Sequence, residues 1–308
     1  MAFQVRIQIF QSTVIPTIYH DIEAWSKISK KDIEKLDKIQ RTVLTSILEL
    51  PSSTPYIGIL SELGIWPVEQ LVDYKRIMLL NQILNSKDSR FLKEIIEEQI
   101  RDTFEGCWYE QTKEICEKYN IGLQLIKVLS KRKLKNIMKS RINKRLDYYI
   151  KEEAKTKTKL RFCSDFKRKK YTKKGNTSFD MTKTIMKLRL NMTEVKSNYK
   201  GVTDSDTRDL CSEASDTTEH LFQCKEIKKR LHQVPGVEII KKDDDNCYDE
   251  LAKFLNDVYL IKEIDVKKTV KENLDKTTKI DDIYTVKTVE NDGMKIILAK
   301  NLPVAAGM

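Results

Sequence analysis

Three side chains near the middle of the C-terminal half carry the clearest chemical signal. The stretch LCSEASDTTEHLFQC (residues 210–224) places Cys211, His220 and Cys224 around a Thr-Thr-Glu-His turn. Thiolate and imidazole are the donors that zinc prefers, and structural zinc sites take four of them in a tetrahedron. Three such residues form an incomplete set, with a fourth position open to water or to another side chain. The competing reading is purely structural. Free cysteine packs like a small apolar residue, so Cys211 and Cys224 can serve as buried filler, with His220 as a residue at a helix start. Packing of Leu221 and Phe222 then suffices to hold the segment.

The second signal is charge. The chain has 308 residues and a formal net charge of +11. Between Lys127 and Gly175 there are 20 Lys/Arg and four acidic residues, whereas the rest of the chain carries 37 Lys/Arg against 42 acids. One segment holds the whole excess, which favours a polyanion-binding surface over a general solubility effect. Lysine and arginine neutralise phosphates and release counterions, giving affinity without sequence readout. The candidate contacts are Lys131, Arg132, Lys133, Lys135, Lys139, Arg141, Lys144, Arg145, Lys167, Arg168, Lys169 and Lys170. Tyr148, Tyr149, Phe162, Phe166 and Tyr171 are interleaved with them, and aromatic rings stack on unpaired bases. Tyr149 also falls on an apolar stripe, where core packing is its expected role. Lys167 to Lys170 have the composition of a nuclear import signal as well. A solvated charged helix is the bland alternative.

The elements that position these residues read as helices. Ser29 and Asp32 have capping-box spacing, and Ile33, Leu36, Ile39, Val43, Leu44, Ile47 and Leu48 follow at helical intervals. That helix should end before Pro51. A short helix is expected over Tyr56 to Leu63, broken at Gly64. A longer one runs from about Pro67 to Asn85, apolar nearly all round in its second half and so deeply buried. Asp88 to Tyr119 reads as one long helix. Lys131 to about Thr158 reads as another, with Leu134, Ile137, Met138, Ile142, Leu146, Tyr149 and Ile150 as its stripe. Trp25, Trp66 and Trp108 sit in apolar settings and fit a helical core. Residues 166–178 read as a basic linker.

Composition agrees. Nine Gly, six Pro and 33% charged residues point to a helix-rich protein. The six cysteines form no dense framework, and the N-terminus lacks a basic-then-apolar leader. No apolar run reaches the ~18 residues a membrane span needs. The expectation is a reducing, intracellular setting, nuclear or cytoplasmic, with no membrane partner. No Gly-rich phosphate loop, Gly-x-Ser-x-Gly elbow or His-Glu-x-x-His pair is present.

Several motifs occur together in a recognisable order. PTIYHDIEAW (residues 16–25), DIEKLDKIQ (32–40), LPSSTPYIGILSELGIWPVE (50–69) and YKRIML (74–79) resemble the region that follows the polymerase palm in LINE-type non-LTR retrotransposon reverse transcriptases. TKTKLRF (156–162), KLRLNMTEVKSNYKG (187–201) and the Cys/His knuckle are similar to the C-terminal part of the same proteins. The resemblance spans about Val14 to Leu231. It implies thumb-like helices followed by a Cys-Cys-His-Cys knuckle that binds nucleic acid, within a polyprotein whose polymerase lies elsewhere. The family pattern puts the first knuckle ligand three residues before Cys211, where this chain has Arg208. An always-protonated guanidinium offers no lone pair to a cation; Asp206, Asp209, His232 and Cys247 are the possible substitutes. The family's RNA-directed DNA polymerase uses an aromatic-x-Asp-Asp motif, since two-metal chemistry needs clustered carboxylates. Here Asp243-Asp244-Asp245 and Asp281-Asp282 lack that context.

The expected fold is all-α: a multi-helix thumb-like bundle with a long basic helix, a small Cys/His knuckle and a short helical C-terminal region. The expected divisions are a helical domain over 1–165, the basic linker over 166–178, the degenerate knuckle region over 179–232 and a helical tail over 233–308. The expected function is non-catalytic, non-specific binding of RNA or DNA by a reverse-transcriptase fragment, with zinc as the cofactor of an incomplete ligand set. The alternative is a structural or interaction protein, or a pseudogene-derived product without selected function. A third reading has the chain supplying a subunit to a polymerase-bearing partner.

Overall fold

The computed structural model describes residues 2–86, 90–173, 178–193, 195, 211, 216–277, 287–291 and 294–298. The chain divides into two compact units, Met1–Asn256 and Asp257–Met308. Among the described residues of the first unit every regular element is a helix, as expected of an all-α protein.

Helix α1 (Phe3–Ile9) runs through a π-turn at Phe10–Val14 into α2 (Ile15–Ile18), where Pro16 occupies the first turn. Helix α3 (Lys30–Ile47) opens with the expected capping box: Asp32 N donates to Ser29 Oγ at 3.2 Å and Ser29 N to Asp32 Oδ2 at 3.4 Å. Helix α4 (Tyr56–Leu63) is buried from Gly58 to its end, six of its eight residues. It ends on Gly64 at φ 62°, the left-handed cap that glycine adopts without penalty. A β-carbon on Gly64 would also lie 2.6 Å from the backbone nitrogen of Arg168. The basic segment is thus stacked directly on the end of α4.

Helix α5 (Val68–Asn85) is the central element, touching α3 and the four helices that come next in the chain. Its buried face is not purely apolar: Asp73, Arg76 and Asn81 are buried with Val72, Ile77, Leu80 and Leu84. Arg76 spends its donors on the carbonyls of Trp25 (2.6 Å) and Trp108 (2.7 Å) and on Thr112 Oγ1 (3.3 Å). The expected single helix over Asp88 to Tyr119 is instead α6 (Arg90–Arg101) and α7 (Trp108–Lys118). The chain turns between them, with Gly106 at φ 84°. Cys107 then caps α7 by accepting from Glu110 N at 3.4 Å.

Helix α8 (Leu123–Val128) leads to α9 (Lys131–Thr156), whose Leu134, Met138, Ile142, Leu146 and Ile150 are buried at four-residue steps. Ile137 is half-buried, while Tyr149, expected on this stripe, is 47% exposed. Trp25 also departs from its expected core setting at 48% exposure, whereas Trp108 is buried and Trp66 half-buried. Trp66 Nε1 donates to Asn143 Oδ1 of α9 at 2.8 Å.

Residues 166–173, expected as a linker, pack into the unit. Phe166, Lys169, Tyr171 and Thr172 are buried. Lys169 N donates to Glu62 O at 2.9 Å, and Tyr171 Oη to Glu62 Oε2 at 2.8 Å. Helix α10 (Phe179–Arg189) follows, capped by Ser178 Oγ, and then α11 (Thr218–Gln223) and α12 (Lys225–Arg230). Arg189 at the end of α10 donates from Nε to Glu62 Oε2 at 2.7 Å and to the carbonyl of Ile240. This buried pair ties α4, α10 and the 3₁₀ turn Val237–Lys241 together. Helix α13 (Asp245–Thr277) packs Tyr248 against Tyr171, with ring centroids 5.0 Å apart.

In the second unit, strands β1 (Lys287–Asn291) and β2 (Met294–Leu298) pair antiparallel, with Lys287 opposite Leu298 and Asn291 opposite Met294.

Candidate metal centre and basic face

Thr217 opens α11 by accepting from His220 N at 3.1 Å, which sets His220 in the first turn. Four residues on, one helical turn, Cys224 closes the same helix with its N–H on His220 O at 2.8 Å. The i,i+4 spacing brings both side chains to one face, and Cys211 joins them there. Cys211 Sγ lies 3.1 Å from His220 Nε2, and the donor atoms of Cys211, His220 and Cys224 all lie within 4.8 Å of one another. Cys224 is buried; the other two are partly open. All three are soft or borderline donors, the chemistry zinc selects. Among the described residues the group stops at three: His232 and Cys247 do not join it. Asp206, Arg208 and Asp209 lie outside the described residues.

The helix carrying two of these donors is held independently of any metal. Glu219 takes a two-pronged ion pair from Arg161, with Nη2 to Oε2 at 2.6 Å. The buried Thr218 hydroxyl donates to Asn191 Oδ1 at 2.6 Å and sits 2.8 Å from Thr193 Oγ1. Asn191 stands at φ 49°, a left-handed position at the end of α10 that asparagine tolerates. Beneath, Phe222 and Phe254 pack with ring centroids 4.8 Å apart. Leu221 and Phe222 therefore fill a core, as the structural reading of this segment expects.

The twelve basic candidates do not share one environment. Lys131, Arg132, Lys133, Lys135, Lys139, Lys144 and Arg145 are exposed along α9, and Lys167 and Lys170 are exposed beyond it. Arg141 is half-buried, donating from Nη1 to the carbonyls of Tyr119 (2.6 Å) and Asn120 (2.5 Å). Arg145 Nη1 likewise reaches Lys118 O at 3.1 Å. These two guanidiniums cover the open carbonyls at the C-terminus of α7, where the helix dipole favours cations. Arg168 is half-buried and donates to Thr172 O at 3.3 Å. Lys169 must be removed from the phosphate-binding set: it is fully buried, with its ammonium paired to Asp165. The run Lys167 to Lys170 is thus not a free cationic string. Phe162, Phe166 and Tyr171 are buried too, so among the interleaved aromatics only Tyr148 and Tyr149 face solvent.

Beside α9 opens a cleft of about 1050 Å³. One wall is Arg141, Lys144, Arg145, Tyr148 and Tyr149; the other includes Asp37, Tyr56, Glu69, Lys118 and Tyr119. Behind that second wall lies an ion network. Lys118 Nζ reaches Glu69 Oε1 at 2.6 Å and Asp73 Oδ2 at 2.7 Å, and Tyr119 Oη donates to Asp73 Oδ2 at 2.9 Å. Burial raises the Asp73 carboxyl above its ordinary range despite its cationic neighbour. For Lys118 burial works the other way and Asp73 outweighs it, so the ammonium is held more firmly than usual. Burial also pushes the Tyr119 hydroxyl up. No residue of the second wall stands out by local sequence pattern, since its members come from α3, α4, α5 and α7.

No protein-family model, curated protein or solved structure matches the chain. Among the described residues no helix is long and apolar enough to cross a membrane.

Proposed function

We propose that this chain is a non-catalytic module that binds RNA or DNA without sequence preference, gripping phosphates along α9. The observation that carries this reading is the distribution of charge on that helix. Lys131 to Leu146 contains no acidic residue, and seven of its cations are exposed. At 1.5 Å per residue that acid-free stretch is about 24 Å long, enough to follow several consecutive phosphates. Cys211, His220 and Cys224 hold zinc, with water or a residue outside the described set as fourth ligand. The packing of Thr218 and Phe222 is expected to hold α11 with or without the metal.

The ordered motifs between Val14 and Leu231 support an origin in the thumb-like helices and knuckle of a LINE-type reverse transcriptase. In that setting the module grips template and primer for a polymerase carried elsewhere in a polyprotein. The discriminating experiment is fluorescence anisotropy on oligonucleotides of unrelated sequence. The Lys131→Ser, Arg132→Ser, Lys133→Ser, Lys135→Ser variant should weaken binding to all of them by a similar factor. Unchanged affinity in that variant would remove α9 from the interface.

A further inference from the structure

We propose that the cleft beside α9 seats one unstacked nucleotide of a single strand, its base on Tyr148 and Tyr149 and its phosphate on Lys144 and Arg145. The inference rests on the nucleic-acid reading above and narrows it from a charged face to a defined site.

Positions 141, 144, 145, 148 and 149 recur at i, i+3, i+4, i+7 and i+8, so one face of α9 presents cations in one turn and aromatic rings in the next. That order matches a nucleotide, whose phosphate and base lie at opposite ends. The two rings are 69% and 47% exposed although they line a concavity. A tyrosine left open inside a cleft has a free π-face, and every base can stack on one. The volume, about 1050 Å³, is at the upper end for small-molecule pockets, which accommodates a base with its sugar and phosphate.

Charge orders the ligand within the site. Lys144 has no ion-pair partner among the described residues, and Arg145 donates from Nη1 to the α7 carbonyl with its guanidinium 5.7 Å from the Tyr119 ring centroid. Because that bond fixes the guanidinium before a ligand arrives, less side-chain freedom is lost on binding. The opposite wall carries Asp37 and Glu69, which repel a phosphate and direct it toward α9. Glu69 is ion-paired to Lys118, with Arg145 a weaker electrostatic neighbour, and Asp37 Oδ1 accepts from Tyr56 Oη at 2.8 Å, so both carboxylates are engaged on their own wall and Lys144 is left as the freer cation. A paired duplex keeps its bases stacked and has none to offer. The cleft therefore selects single strands, which the remaining α9 cations alone would not do.

The test compares wild type, Tyr148→Ala/Tyr149→Ala and Tyr148→Phe/Tyr149→Phe on a short oligoadenylate carrying one 2-aminopurine and on a duplex of the same length. Wild type should bind the single strand in preference and quench 2-aminopurine. The double alanine variant should lose about tenfold or more for the single strand, as expected of base–aromatic stacking, with no quenching and unchanged duplex binding. The phenylalanine variant should keep both signals, which separates lost stacking from lost folding. Equal single-strand affinity in wild type and the alanine variant overturns the site while leaving phosphate binding by α9 intact. Absence of binding to either nucleic acid by wild type overturns both.

Discussion

Cys211 Sγ stands 3.1 Å from His220 Nε2, with Cys224 completing a group of donor atoms within 4.8 Å of one another. The two residues are nine apart in sequence. Purified protein should retain zinc at a stoichiometry near one, and Cys211→Ser should lower it severalfold, because two protein ligands hold zinc far more weakly than three. Equal zinc content in the two proteins would contradict the assignment. Chelation should leave helicity nearly unchanged, since Thr218, Asn191 and Phe222 fix α11 without metal.

Arg189 and Glu62, 2.7 Å apart at 0% exposure, make a more stringent structural demand. Burial opposes the arginine charge, but the Glu62 carboxylate more than compensates, so Arg189 is held above its usual range. Removing one member of such a pair strands the other in the core. Arg189→Met should destabilise the protein by about 3–5 kcal/mol in urea unfolding. The double variant Glu62→Gln, Arg189→Met should recover much of that loss, because no charge is left uncompensated.

Thiol chemistry offers an independent check on the packing. Burial pushes the Cys116 and Cys163 thiols up to about 12. The thiolate is the reacting form, so both should resist alkylation near neutral pH until the protein unfolds. Cys211 and Cys247 are partly open and should label first once zinc is stripped by chelation. Added zinc should protect Cys211 and not Cys247.

The Asp73 carboxyl supplies a pH signature. Its folded-state pKa is raised, so the native protein binds that proton more tightly than the unfolded chain. Its contribution to stability is full below the ordinary carboxylate range and is lost as pH rises through the folded value. Asp73→Asn should flatten this part of the stability–pH curve, measured as the urea midpoint between acid and neutral pH. An unchanged slope would show that Asp73 titrates normally.

Local features of this fold were legible in the sequence, and distant ones were not. The Ser29–Asp32 box and the four-residue stripe of α9 are written within a few residues, so spacing sufficed. The Glu62–Arg189 pair joins residues 127 apart, and nothing near either announces it. The run Lys167 to Lys170 has the composition of a linker, yet Gly64 lies under Arg168 and Asp165 neutralises Lys169, so the run is folded in. Tyr149 lies at the edge of the stripe, where period alone does not separate core from cleft. The break between α6 and α7 was masked because the apolar period resumes at Trp108 after Gly106. For the candidate site, the three metal donors and the α9 cations could be named from sequence. The facing wall of Asp37, Glu69 and Lys118 needed the fold.

The central claim is that α9 binds nucleic-acid phosphates, and salt dependence measures it most directly. Affinity for single-stranded RNA should be titrated against salt from about 50 to 200 mM, the range where counterion release dominates. Four to seven phosphate contacts predict a log–log slope between about −3 and −5, at about −0.7 per contact. A flat dependence, or no binding at the lowest salt, would contradict the account.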